Sequence, residues 1–197
     1  MASTKREHEK RATHGTDDGR RLAVLLDIGR EHAAAFRNLE GLRCSREALE
    51  IARRLGDGLG AGRALYNATL CHYQRGDYVA SIATGLDAIE AYSMEDVAER
   101  SRALQSIALA LFSIEAFDLA QSMAERSIAD ARDGGDLDSE AYAGSVLGAI
   151  LADRGMFHRA RHQFRLAAAH YRNTGDAIHL KKSRRSESTR LNSSHSS

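Results

Sequence analysis

His158 and His162 stand four residues apart, on one side of any helix that holds them, and His170 follows two turns later. A histidine pair at that spacing is a geometrically sound start for a divalent-metal site. No Asp or Glu accompanies it at ligand spacing, whereas Arg159, Arg161 and Arg165 do and would repel a cation. The segment therefore reads as a solvated basic face, and no metal is expected. Cys71 and His72 are chain neighbours. On a helix they point about 100° apart, which is wrong for a nucleophile and its base and right for a packed cysteine. Gly56, Gly58, Gly60 and Gly62 resemble a phosphate-cradling loop. Such a loop needs a strand before it and a helix opening directly after it. Here the helical stretch from Ala48 to Leu55 precedes them, so they read as a turn between helices. There is no P-loop, nucleophile elbow or distinct carboxylate pair, and the expectation is a non-enzyme with no cofactor.

What must position these residues is an all-helical scaffold. The chain has 16 glycines and no proline, and a proline costs a helix interior about 3 kcal/mol. No alternating Val/Ile/Thr run is long enough for a strand. At 43% hydrophobic, 197 residues can bury a sizeable core. Lys plus Arg is 28 against 27 for Asp plus Glu, so the net charge of +1 offers no reason to expect nucleic acid or an anionic membrane. No run approaches the roughly 18 apolar residues of a membrane span. The charged first twenty residues show no secretory signal, and Cys44 and Cys71 are too few for a disulfide framework. The expected setting is the cytoplasm.

The chain repeats itself. Asp57, Asp96, Asp136 and Asp176 recur at steps of 39, 40 and 40, three of them after a glycine. Aspartate caps a helix start and glycine suits the left-handed residue that ends one, so a helix stops and another begins at each junction. The second junction, Ser93-Met94-Glu95-Asp96, lacks the glycine but gives Asp96 and Glu99 capping-box spacing. Ile28-Gly29, Ala68-Thr69, Ile107-Ala108 and Leu147-Gly148 keep the same step, each pairing an apolar with a small residue. Tyr78, Phe117 and Phe157 open second helices after short turns, and Ala48, Ala88, Ser127 and Ala167 fall in register. The unit is a helical hairpin of about 40 residues whose apolar stripe is buried only by stacking on its neighbours.

Leu147-Gly148, Leu151, Gly155, Phe157, Ala160, Phe164 and Ala167 resemble the tetratricopeptide signature. Ala120 keeps the second-helix alanine, which Ser81 and Gly41 replace in other units. The resemblance spans about Arg20 to Lys182. It departs in period, 39–40 against the usual 34, and in lacking the trailing proline; length alone would favour a HEAT or armadillo array. The implied fold is all-α, an α-solenoid of four antiparallel helical hairpins (a TPR-like superhelix). Units are expected at about 20–57, 58–96, 97–136 and 137–176, with a fifth starting over 177–182. Residues 1–19 read as a disordered charged arm and 183–197 as a disordered tail. The stretch from Ser188 to His195 resembles a translated sequencing-library adapter, so that tail is expected to be non-native.

In tetratricopeptide arrays the first helix of each hairpin lines a concave groove. Carried onto this register, the resemblance implies a partner-binding groove of Arg30, Arg63, Tyr66, Leu70, Tyr73, Arg102, Gln105, Leu109, Phe112 and Tyr142. These types bury area and donate hydrogen bonds where partners bind. Tyr66 and Leu70 stand where the family's carboxylate clamp would have Lys and Asn, so recognition of a terminal carboxylate is not implied. The implied function is a protein- or peptide-binding scaffold, with self-association open to the uncapped last repeat. The run from Ala48 to Asp57 also resembles arrays preceding diguanylate cyclase (GGDEF) domains and those of large transcription activators. The alternative is therefore the regulatory segment of a truncated bacterial signalling protein, any catalysis lying in missing sequence.

Overall fold

The computed structural model describes residues 17–192, so the disorder expected of 1–16 and 193–197 falls outside the described residues. Those described form nine α-helices and no strand. Four antiparallel hairpins follow one another: α1 (Asp17–Ala34) with α2 (Asn38–Leu55), α3 (Gly58–Gln74) with α4 (Tyr78–Ala91), α5 (Val97–Ser113) with α6 (Phe117–Asp133), and α7 (Leu137–Asp153) with α8 (Phe157–Thr174). α9 (Ala177–Asn192) then packs on α8 and α7. The fold is the all-α hairpin repeat expected from the sequence.

The aspartate junctions work as their chemistry demands. Asp57 accepts a hydrogen bond from the Gly60 N–H at 2.9 Å, directly after Gly56 turns the chain at φ +65°. Asp136 accepts from the Ser139 N–H and hydroxyl at 3.0 and 2.7 Å, and Asp176 from the His179 N–H at 3.0 Å. Each such cap contributes about 1 kcal/mol by satisfying an N–H that the helix itself leaves open. The glycine-free junction differs: the Asp96 carboxylate binds back to the Ser93 N–H and hydroxyl at 2.9 and 2.7 Å. There the chain divides into two compact units, one ending at Asp96 and one beginning at Val97.

In the first unit, Leu22, Ala48, Ile51, Ala52, Ala61 and Ala64 form a core cluster. Nearer the hairpin turn of α3 and α4, the Ser81 hydroxyl donates to the Thr69 carbonyl at 3.0 Å. Gly62 is required by close approach, since a Cβ there would lie 2.3 Å from the Tyr92 ring. In the second unit, Leu104, Ile107, Ile150, Leu151 and Phe164 are almost wholly buried. Between α5 and α6 lie a buried ion pair, Arg100 to Asp130 at 2.9 Å, and two serines that donate to each other's carbonyls.

Both ends differ from the sequence reading. α1 starts at Asp17, so residues 17–19 are helix rather than arm: Gly19 is buried, and Arg54 pairs with Asp18 at 2.9 Å. α9 continues well past Lys182 through residues expected to be disordered. Its Ser183 is buried and bonds the Phe164 carbonyl at 3.5 Å, and Arg190, two turns on, pairs with Asp153. A serine and an arginine make the inward face here, so no apolar stripe announced a helix.

Candidate functional site

Within the first unit, α1 and α3 lie side by side. Asn67 donates its amide to the Leu26 carbonyl at 3.0 Å and Gln74 to the Ala33 carbonyl at 3.0 Å, pinning the seam at two heights. Arg63, Tyr66, Leu70 and Tyr73 recur every three or four residues and so share one face of α3. Arg63 is exposed and the other three are half-buried. The Tyr73 ring leans on Tyr78 across the hairpin turn, centroids 5.7 Å apart. Arg30 is exposed on α1, between the two pinned carbonyls, and pairs with Asp27 at 3.0 Å. Five of the expected groove residues thus belong to the first-helix layer of this unit.

The second unit carries the corresponding set on α5, 39 residues on, and treats it differently. Arg102 is exposed. Partial burial raises the Asp136 carboxyl, but the Ser139 hydrogen bonds and the Arg102 charge outweigh it and hold that carboxyl below its ordinary range. Gln105, expected in the groove, is only 7% exposed and donates its amide to the Ser139 carbonyl of α7 at 3.0 Å. Its long amide reaches an acceptor on the next first helix, so it holds the seam instead of facing a partner. Leu109 and Phe112 are half-buried; Phe112 packs on Phe117 at 5.9 Å and lies under the Arg190 guanidinium at 5.0 Å. Tyr142 is half-buried and edge-on to His179 at 6.1 Å. α9 therefore touches the expected groove set twice, and the Arg190 contact lies beyond Lys182, where the sequence reading ended the structure.

The residues first considered for chemistry fall elsewhere. Cys71 is fully buried, and that burial, with Cys44 nearby, pushes its thiol up and leaves it a poor nucleophile. Gly58, Gly60 and Gly62 lie in the first turns of α3. His158 and His162 are exposed on α8, whereas His170 turns to Asp138 of α7 at 2.6 Å. His179 stacks on Tyr171, whose phenol burial pushes up to about 12, a rise that the Ser145 hydroxyl only partly offsets.

The sequence reading did not foresee a cleft within the second unit. Between α6 and α8, with α7 as floor, runs a cleft of about 500 Å³. It joins residues some 40 positions apart on three helices, and only the hairpin stacking brings them together.

No protein-family model matches this chain, and no curated protein does. Among the 44 matching chains of solved structures are aspartyl phosphate phosphatase F from Bacillus subtilis and the apo form of RapI. The first aligns with TM-score 0.81 at 17% identity, covering 89% of this chain and 46% of its own. The second aligns with TM-score 0.71 at 13% identity, covering 98% of this chain and 54% of its own. The class of protein is thereby defined: a tetratricopeptide-like helical-repeat fold. This chain spans about half the length of either neighbour.

Proposed function

We propose that this chain is a cytoplasmic scaffold holding a protein or peptide segment against the outward side of its first helices. One observation carries the reading: the same partly exposed stripe recurs 39 residues apart, as Arg63, Tyr66, Leu70 and Tyr73 on α3 and as Arg102, Leu109 and Phe112 on α5. Tyrosine and arginine are among the side-chain types that most often dominate binding energy at protein interfaces. The likeness to a phosphatase rests on fold at 17% identity and carries no reaction to this chain. Among the described residues no helix is long and apolar enough to cross a membrane.

Affinity capture on the immobilised chain tests the reading, with Arg63→Ala/Arg102→Ala and Tyr73→Ala/Phe112→Ala as variants. A partner captured by the wild type should be held at least about tenfold more weakly by both, at unchanged helicity. Capture that ignores both pairs overturns the assignment. A second reading, the regulatory segment of a longer bacterial signalling protein, is supported by the share of the neighbours spanned, 46% and 54%. The genomic frame downstream of Lys182 decides between them. Self-association through α9, where Ile178 is 68% exposed, belongs to the same proposal, and sedimentation at several concentrations checks it.

A further inference from the structure

A net charge of +1 conceals a sharp local imbalance. From Phe157 to Asn192, over α8 and α9, nine arginines and lysines stand against two carboxylates, Asp176 and Glu187. Asp176 is engaged in capping α9, accepting from the His179 N–H at 3.0 Å. Arg159 pairs with Glu125 at 3.5 Å, and Arg190 with Asp153. The other seven cations are exposed and have no carboxylate partner among the described residues. Three of them, Arg161, Arg165 and Arg172, fall within an arc of about 40° on α8 and along about 17 Å of its length. The remaining four, Lys181, Lys182, Arg184 and Arg185, are on α9. Arg161, Arg165, Arg172, Lys181 and Lys182 precede the tail expected to be non-native.

The repeat shows what these cations stand in place of. α9 packs on α8 and α7 as α7 packs on α6 and α5, so a step of 40 residues carries the wall and floor of the α7 cleft onto α8 and α9. Glu125, Ile128 and Arg132 of the α6 wall correspond to Arg165, Ala168 and Arg172. Ala141, Gly144 and Leu147 of the α7 floor correspond to Lys181, Arg184 and Glu187. In the cleft α8 supplies a second wall, whereas no described helix fills that place beside α9. The corresponding surface is therefore an open ledge. A helix packing there would need an apolar stripe, and Ala168 and the half-buried Leu180 are what remains of one.

We propose that the ledge of α8 and α9 binds the phosphate backbone of a nucleic-acid duplex without reading its sequence. About ten charges of a duplex lie along a length equal to the α8 row, and the counterions they release on contact with arginine and lysine drive association. An acidic helix from a partner protein would need the apolar surface that the cations have displaced. Single strands are held largely by stacking bases on aromatic rings, and neither helix exposes one among its described residues. Docking of α9 in a membrane interface would need an apolar face, and Ile178 is its one exposed large apolar side chain among those described. The ledge shares no residue with the stripe of the proposed function.

Fluorescence anisotropy on the full chain tests it with a short labelled DNA duplex and a glutamate-only peptide, and co-sedimentation with vesicles of phosphatidylcholine and phosphatidylserine. The duplex should bind most tightly, and the logarithm of its binding constant should fall against the logarithm of salt with a slope of about −4 to −6. Arg161→Gln/Arg165→Gln and, separately, Lys181→Gln/Lys182→Gln should each weaken it by about tenfold and make the slope shallower by about 2. Arg43→Gln/Arg46→Gln removes the same charge from exposed positions of α2 and should change neither. All six side chains are exposed, so circular dichroism should be unchanged. No duplex binding, a slope shallower than about −2, tighter binding of the peptide or the vesicles, or variants of the ledge that bind no more weakly than the α2 variant overturns the proposal. None of these outcomes touches the Tyr73 and Phe112 reading.

Discussion

In the second hairpin the buried polar contact, Ser81 to the Thr69 carbonyl, sits near the turn, while the open end is apolar, with Ala61, Gly62, Ala88 and Ala91. The third hairpin reverses this. Its turn end holds Ala108 and Ala120, and its open end holds Arg100, Ser101, Ser127 and Asp130 at the positions corresponding to those four small residues. The same repeat, one in each unit, therefore accepts polar groups at either end of the helix pair. In both places the groups are paired: each serine finds a carbonyl and the arginine finds a carboxylate. The difference lies in cost. A neutral hydroxyl–carbonyl pair is cheap to bury, whereas an ion pair at 8% and 11% side-chain exposure gives up far more hydration.

That contrast can be broken most forcefully at Arg100. Arg100→Leu leaves Asp130 buried without its partner and should cost the second unit about 3–5 kcal/mol in denaturant unfolding. Arg100→Leu with Asp130→Leu should restore most of the loss, whereas Ser81→Ala in the first unit should cost only about 1 kcal/mol. A double variant as unstable as the single one would mean that charge is not what sets the units apart.

The second unit should also weaken in strong alkali. The Tyr171 phenol ionises near 10 in an unfolded chain and near 12 in the folded one. Its contribution is therefore complete below pH 10 and is lost as pH climbs through 12, a change of about 2–3 kcal/mol. Tyr171→Phe should flatten the fall in stability between those values, followed by hydrogen exchange in α7 to α9. The smallest effect should be alike in both units. Phe36 and Glu115 hold φ of +58° and +61° at the hairpin-turn position where Gly76 and Gly155 stand in the other hairpins. Phe36→Gly and Glu115→Gly should each stabilise by about 0.5–1 kcal/mol in thermal melts. A gain in one unit alone would show that local contacts, not backbone strain, decide those turns.

Much of the architecture could be read from side-chain chemistry close along the chain. Asp57, Asp136 and Asp176 cap helices through N–H groups three residues away, and Gly148 lies where a Cβ would meet the Phe164 ring at 2.9 Å. The groove set was legible as a stripe on α3 and α5 but not in its detail. Gln105 depended on a carbonyl 34 residues on, and Phe112 on a guanidinium from a helix with no apolar signature. Total charge also averaged away the basic character of α8, whose four arginines and three histidines come with no carboxylate of its own.

Helix identity, hairpin period and the caps came from the amino-acid order alone, because propensity and capping act within three or four residues of backbone. The pairing of Arg100 with Asp130, the burial of Gln105, the continuation of α9 and the cleft over α7 were decided by tertiary structure. Each depends on which distant surface a side chain meets, and that is set by how successive hairpins stack rather than by any local pattern.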